Sequence, residues 1–156
     1  MKNQLLLVLT GSMGMFFACS SPVQKDQTME TAVEEAPFFS SEVSQRVLDH
    51  HLESFGQNDL EAIVSDYTEE SIIITPDSTY RGLEQISSFF AGLFPSFPTD
   101  STELRMKSMF VENEVAYILW DCTTPTLEVP LGTDTFIIED GKIRIQTFAA
   151  VINPVE

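Results

Sequence analysis

Residues 134–147 read D-T-F-I-I-E-D-G-K-I-R-I-Q-T, and the pair at their centre decides how they fold. Asp140-Gly141 is a two-residue type I′ hairpin signal, because Gly takes positive φ freely and Asp tolerates it, and apolar residues flank it on both sides. The turn sets the register. Glu139 then pairs with Lys142, Ile138 with Ile143, Ile137 with Arg144, Phe136 with Ile145, Thr135 with Gln146 and Asp134 with Thr147. Opposed residues share a face, so Asp134 stands with Phe136, Ile138, Ile143, Ile145, Thr147 and Ala149, while Thr135, Ile137, Lys142, Arg144 and Gln146 take the other side. The first face is apolar and is the one expected under helices, yet it carries an acid. A carboxylate there must be hydrogen-bonded, paired or neutral, since desolvating its charged form is expensive. Asp134 is therefore the leading candidate site residue; the alternative is that it sits at the strand's start beside Gly132, where water or loop amides satisfy it.

Outward from the hairpin, residues 102–111 and 115–123 also alternate as strands, giving four strands in a meander. The turn at Glu112, Asn113 and Glu114 admits two registers, so the face taken by Asp121 stays open at this stage. Further upstream, S-I-I-I-T at 71–75 is a short β-branched strand closed by Pro76 and Asp77. Three amphipathic helices are expected before and after it. Val43, Val47, His51 and Phe55 recur every four residues, with Leu48 and Leu52 widening the stripe and Gly56 ending it. Asn58 followed by Glu61 has capping-box spacing for a second helix through Leu60, Ile63, Val64 and Tyr67. Leu83, Ile86, Phe89, Phe90 and Leu93 form a third, stopped by Pro95. The domain is thus α+β, an antiparallel sheet covered on one face by three helices from the N-terminal half of the chain.

His51 falls on the buried stripe of the first helix and is the natural partner for Asp134, although a lone buried His can equally be a core residue. Phe90 and Trp120 could line a pocket for a flat apolar ligand, and Phe136 and Thr147 share the face of Asp134. His50 and His51 point about 100° apart, unsuited to one metal ion, and two cysteines among 156 residues make no thiolate site, so no metal or cofactor is expected.

The chain carries 24 acidic and 8 basic residues, a formal charge of -16, which excludes a phosphate-neutralising nucleic-acid binder. Residues 5–17 form an apolar stretch behind Lys2, of signal-peptide length and shorter than a bilayer-spanning helix needs. It runs into F-F-A-C at 16–19, which resembles the lipobox of bacterial lipoproteins; that resemblance implies cleavage before Cys19, lipidation of Cys19 and a lipid-anchored, exported protein, outer membrane facing the periplasm. Residues 1–18 are then the signal, 19–40 a Ser-, Pro- and Glu-rich tether, and 41–156 the folded domain.

Three runs in order, Q-N-D-L-E-A-I-V-S-D-Y at 57–67, Y-R-G-L-E-Q-I-S-S-F-F at 80–90 and L-G-T-D-T-F-I-I-E-D-G-K-I at 131–143, resemble the nuclear transport factor 2-like superfamily and its SnoaL-like domains. The resemblance implies a cone-shaped curved sheet with a deep pocket beneath the helices, and a homodimer through the outer sheet face. Placing the ketosteroid isomerase pattern on this chain puts one oxyanion-hole position at His51, the other at Asp134 and the general base at Thr75. A threonine hydroxyl has no proton affinity for that role near neutrality. What remains is His51 and Asp134 holding a carbonyl or hydroxyl of a small, mostly apolar molecule, with Asp121 as a further acid or base, and binding ranks above catalysis. The rival reading is an interaction module, its cone filled and its outer face around Thr135, Arg144 and Gln146 used for association.

Overall fold

The opening stripe forms a helix, α1 (Ser41–Gly56), that buries Leu48 and His51. A computed structural model describes residues 40–155. The expectations for residues 1–39, including the signal, Cys19 and nearly all of the tether, lie outside the described residues. After α1 come α2 (Leu60–Val64), β1 (Ile72–Ile74), β2 (Thr79–Arg81), α3 (Gly82–Leu93) and a 3-10 turn at Phe94–Ser96. Four long strands follow: β3 (Glu103–Glu112), β4 (Val115–Thr123), β5 (Leu127–Glu139) and β6 (Lys142–Pro154).

The start of α1 is pinned to the β3–β4 turn. Ser41 Oγ accepts from Asn113 N at 2.8 Å and Ser44 Oγ donates to Asn113 O at 2.6 Å. The cap of α2 is Asp59 rather than Asn58: its side chain accepts from Ala62 N at 2.9 Å. Asn58 instead adopts φ +53° and donates Nδ2 to Phe97 O at 3.0 Å, tying the inter-helix turn to the segment after α3. Because α2 stops at Val64, the chain turns early and buries both Asp66 and Tyr67.

The fold is α+β, as expected, with one six-stranded sheet in the order β2-β1-β6-β5-β4-β3. The sheet is mixed: β1 pairs in parallel with β6, and β2 is an additional edge strand antiparallel to β1. Asp140 and Gly141 take φ 51° and 74°, the type I′ geometry read from their identity.

Beyond the turn the register departs from the one expected. Glu139 still pairs with Lys142 and Ile138 with Ile143, but Ile137 pairs with Ile145, leaving Arg144 as an extra residue. This bulge exchanges the two faces of β6 from there on. Gln146 and Phe148 turn toward the helices, and Ile145, Thr147 and Ala149 turn away; Thr147 is exposed and Gln146 buried. Two tertiary contacts hold the bulge: Arg144 donates to Glu70 O, and Ile145 pairs with Ile72 of β1. Further irregularities lie at Lys107 on β3 and at Pro130 on β5, where the missing N–H of proline costs no ladder bond. Bulges bend strands, and here they curve the sheet around a core of Leu48, Ile63, Ile86, Phe90, Phe136 and Ile138.

Candidate functional site

The inner face of the sheet and the helices α1 and α3 leave an apolar cavity of about 50 Å³ between them. At roughly 10–15 Å³ per water it holds about three to five waters with its walls as they stand. His51 from α1, Phe90 from α3, Trp120 from β4, Asp134 and Phe136 from β5 and Gln146 from β6 reach its lining. Leu93, Phe97, Leu104 and Met106 form part of the wall, and Leu104 is exposed.

Asp134 is 6% exposed and accepts from Trp120 Nε1 at 2.9 Å on one oxygen and from Gln146 Nε2 at 2.8 Å on the other. Gln146 Oε1 in turn accepts from Tyr67 O–H. Burial pushes the Asp134 carboxyl above the usual carboxylate range; the two hydrogen bonds and the nearby His51 oppose that without cancelling it. Tyr67 is pushed well above the ordinary phenol range, first by burial and then by the acids Asp134 and Asp66, so it stays a neutral donor. Trp120 reaches Asp134 because it lies across Gly132, its cross-strand partner. A Cβ built at Gly132 would stand 2.3 Å from Trp120 Cε2, so only glycine leaves room for the indole.

His51 is 3% exposed and sits edge-on among the rings of Tyr67, Phe90 and Phe136, at centroid distances of 5.8, 5.8 and 5.1 Å. Its Nδ1 faces Asp66 Oδ2 at 3.4 Å, and neither atom has another hydrogen-bond partner among the described residues. The other oxygen of Asp66 lies 2.6 Å from Nδ1 of His50, whose side chain is about half exposed.

His51, Phe90, Trp120, Asp134 and Phe136 therefore converge on one cavity. Three other expected site residues do not line it. Asp121 faces the opposite side of β4, where it pairs with Arg105 Nε at 2.7 Å and Lys107 Nζ at 2.9 Å; these bonds, the Arg105 one foremost, hold its carboxyl below the usual range. Thr147 is turned outward by the Arg144 bulge. Thr75 closes a turn, its Oγ1 donating to Ser78 O at 3.2 Å and accepting from Ser78 N at 3.1 Å. Gln146, Tyr67 and Asp66 were missed. The signal for Gln146 was present: Ile143 and Ile145 alternate in one phase and Phe148 and Ala150 in the other, a slip that marks a bulge.

Cys122 is buried, and burial, then Asp121, raises its thiol above the ordinary value, which makes it a packing residue rather than a nucleophile. Among the described residues no group of three or more His, Cys, Asp or Glu is placed to hold a metal ion, and no helix is long and apolar enough to cross a membrane.

Residues 48–145 match the SnoaL-like domain, and that stretch contains every cavity residue except Phe148 and Gln146. The chain belongs to the SnoaL-like domain family. No curated protein matches it. Among solved structures, an NTF2-like protein of unknown function from Mesorhizobium loti is similar at 18% identity and TM-score 0.60, over 71% of this chain and 93% of that one. An LEH-like epoxide hydrolase from M. tuberculosis is similar at 11% identity and TM-score 0.58, over 70% and 84%. A de novo designed protein with a curved β-sheet is similar at 14% identity and TM-score 0.62, over 72% and 88%. A SnoaL-like architecture shared by an enzyme and a designed protein carries no function by itself, and function has to be argued from the cavity.

Proposed function

We propose that this SnoaL-like domain binds a small, mostly apolar molecule bearing one polar group, with binding its principal activity and any acid–base chemistry, of isomerase, cyclase or dehydratase type, secondary. The observation that carries this reading is a buried imidazole and a buried carboxylate, His51 and Asp134, which together with the Gln146 amide are the polar groups on the lining of a cavity otherwise walled by aromatic and aliphatic side chains. A filled cone would have favoured the rival interaction module. The volume limits the ligand to a few heavy atoms unless Leu93, Phe97 or Met106 swing aside. Chemistry, where it occurs, falls to His51 as base and to Asp134, whose raised proton affinity suits it to donate. Asp121 takes no part in it, being paired with Arg105 and Lys107 on the opposite side of β4.

A thermal-shift and NMR screen with small alcohols, ketones and cyclic hydrocarbons tests the proposal. Ligand-induced stabilisation is expected in the native protein and lost in His51→Ala and Asp134→Asn, while both variants stay folded. Equal stabilisation in all three proteins would refute this site.

The same proposal places the domain on a membrane surface through lipidated Cys19, exported to the periplasmic side, and in a homodimer. Support for the dimer comes from the outer sheet face. Phe110 pairs with Tyr117, Tyr117 with Thr135, Thr135 with Thr147 and Thr147 with Ile74, a row that crosses five strands without a charge. Phe110 is 65% exposed, and Leu131 and Val151 extend the apolar patch.

A further inference from the structure

Two buried polar atoms in this domain face each other and nothing else. His51 Nδ1 and Asp66 Oδ2 are 3.4 Å apart, and each lacks any other hydrogen-bond partner among the described residues. An ionised carboxylate only accepts, so the pair is favourable only when the proton of His51 sits on Nδ1. With the proton on Nε2, two lone pairs would confront each other in a low-dielectric interior, where unpaired polar groups are costly. Asp66 is not free to turn away. Its other oxygen is held at 2.6 Å by His50 Nδ1, from a side chain that reaches solvent, and its backbone oxygen accepts from Ile143 N at 2.8 Å.

We propose that Asp66, clamped from the solvent side by His50, is a positioning residue that fixes His51 as the Nδ1–H tautomer, so that Nε2 is left to the cavity as a hydrogen-bond acceptor. The consequence is a ligand class. An acceptor nitrogen takes a hydroxyl or N–H donor and offers nothing to a ketone, and Asp134, which accepts from Trp120 and Gln146 on its two oxygens, offers a ketone no donor either while it is a carboxylate. The cavity therefore selects alcohols, enols or phenols over carbonyl compounds of the same shape. The 3.4 Å separation suits an empty site: such contacts shorten when a ligand hydroxyl donates to the far nitrogen and raises the acidity of the near N–H.

The tautomer half stands on the unliganded protein alone, whereas the selectivity half rests on the ligand-binding reading above. Long-range 1H–15N correlation of the imidazoles at mildly alkaline pH is expected to show His51 with a protonated Nδ1 and a bare Nε2. In Asp66→Asn the amide can donate to Nδ1, and the proton should move to Nε2; in His50→Ala the loosened carboxylate should leave a mixture. A native spectrum with the proton on Nε2, or an Asp66→Asn spectrum unchanged from native, would overturn the positioning role. For selectivity the probes are cyclopentanol and cyclopentanone, followed through the Trp120 indole N–H. The alcohol is expected to bind about tenfold more tightly than the ketone in the native protein, the weight of one hydrogen bond, with the preference lost in Asp66→Asn. Equal binding of both probes by the native protein would refute the selectivity. Binding of neither would sink the pocket reading and the selectivity with it, and leave the tautomer result to decide the role of Asp66.

Discussion

Replacing Gly132 by alanine tests the geometry on which the site depends. The added methyl would stand 2.3, 2.4 and 2.6 Å from three atoms of the Trp120 indole, whereas ordinary contact begins at 3.4 Å. The ring must retreat by about 1 Å, which carries its Nε1 from 2.9 Å to beyond hydrogen-bonding range of Asp134 Oδ2. Overpacking of this kind costs about 1–3 kcal/mol. Withdrawing a donor from a buried carboxylate costs about 1–3 kcal/mol more. The expected loss is thus about 2–6 kcal/mol, against a total stability of about 5–15 kcal/mol for a domain of this kind. Trp120 is the one tryptophan in the chain, so urea unfolding followed by its fluorescence reads both stability and the indole's surroundings. The emission of the folded variant should also shift. In a Trp120→Phe background, which has already lost the donor and part of the bulk and is followed by circular dichroism because it holds no tryptophan, the Gly132→Ala cost should fall sharply, a non-additivity that isolates the contact. A loss under about 0.5 kcal/mol with unchanged emission, the range of an ordinary surface substitution, would refute the packing of Trp120 on Gly132 and the anchoring of Asp134 with it.

The remaining expectations are briefer. Asp134 has its proton affinity raised in the folded state, so the native protein holds more protons than the unfolded chain above the ordinary carboxylate range, and this contribution to stability declines as pH rises through that raised value. Asp134→Asn should therefore gain stability relative to the native protein with rising pH; melting curves from pH 4 to 8 that run parallel for the two proteins would contradict this. Asp121 is the opposite case, its carboxyl lowered by Arg105 and Lys107, so its contribution is present above the ordinary value and fades as pH falls through the lowered one. Asp121→Asn should cost little, less still in high salt, and leave ligand binding unchanged; loss of binding would return this residue to the site. Phe110→Glu should convert a dimer to a monomer in analytical ultracentrifugation without altering the fold, and a native protein that is monomeric at high concentration would end the dimer proposal. Cys19→Ser should release the protein from the membrane fraction of the cells that export it, and unchanged membrane association would rule out the anchor.

What could be read from the chain was what local chemistry dictates. The hairpin turn is a property of Asp140 and Gly141 themselves, and the buried positions of His51 and Asp134 follow from helical and strand periodicity. The bulge at Arg144 leaves only a slip of phase between Ile145 and Phe148 in the sequence, and what fixes it at Arg144 is not local: Glu70 and β1 hold it, both about seventy residues away in the chain. With it went the correct choice between Thr147 and Gln146. Asp66 was hidden because α2 ends early, after Val64, and only the turn that follows brings its carboxylate beneath α1. Asp121 faced an undecided turn, which Asn113 resolves by taking φ 51° so that Glu112 pairs with Val115.

The extra residue on β6 means that the interior chemistry of this sheet is set by how one residue is accommodated in the ladder as much as by residue identity. Deleting Arg144 would leave Ile137 opposite Ile145 and Phe136 opposite Gln146, so the amide and the benzyl ring of Gln146 and Phe148 would stay inside, whereas drawing Arg144 into the ladder would present Ile145, Thr147 and Ala149 in their place. Which of two complete linings the sheet presents thus turns on whether one residue is looped out, as Glu70 and β1 hold it, rather than on any change of side chain.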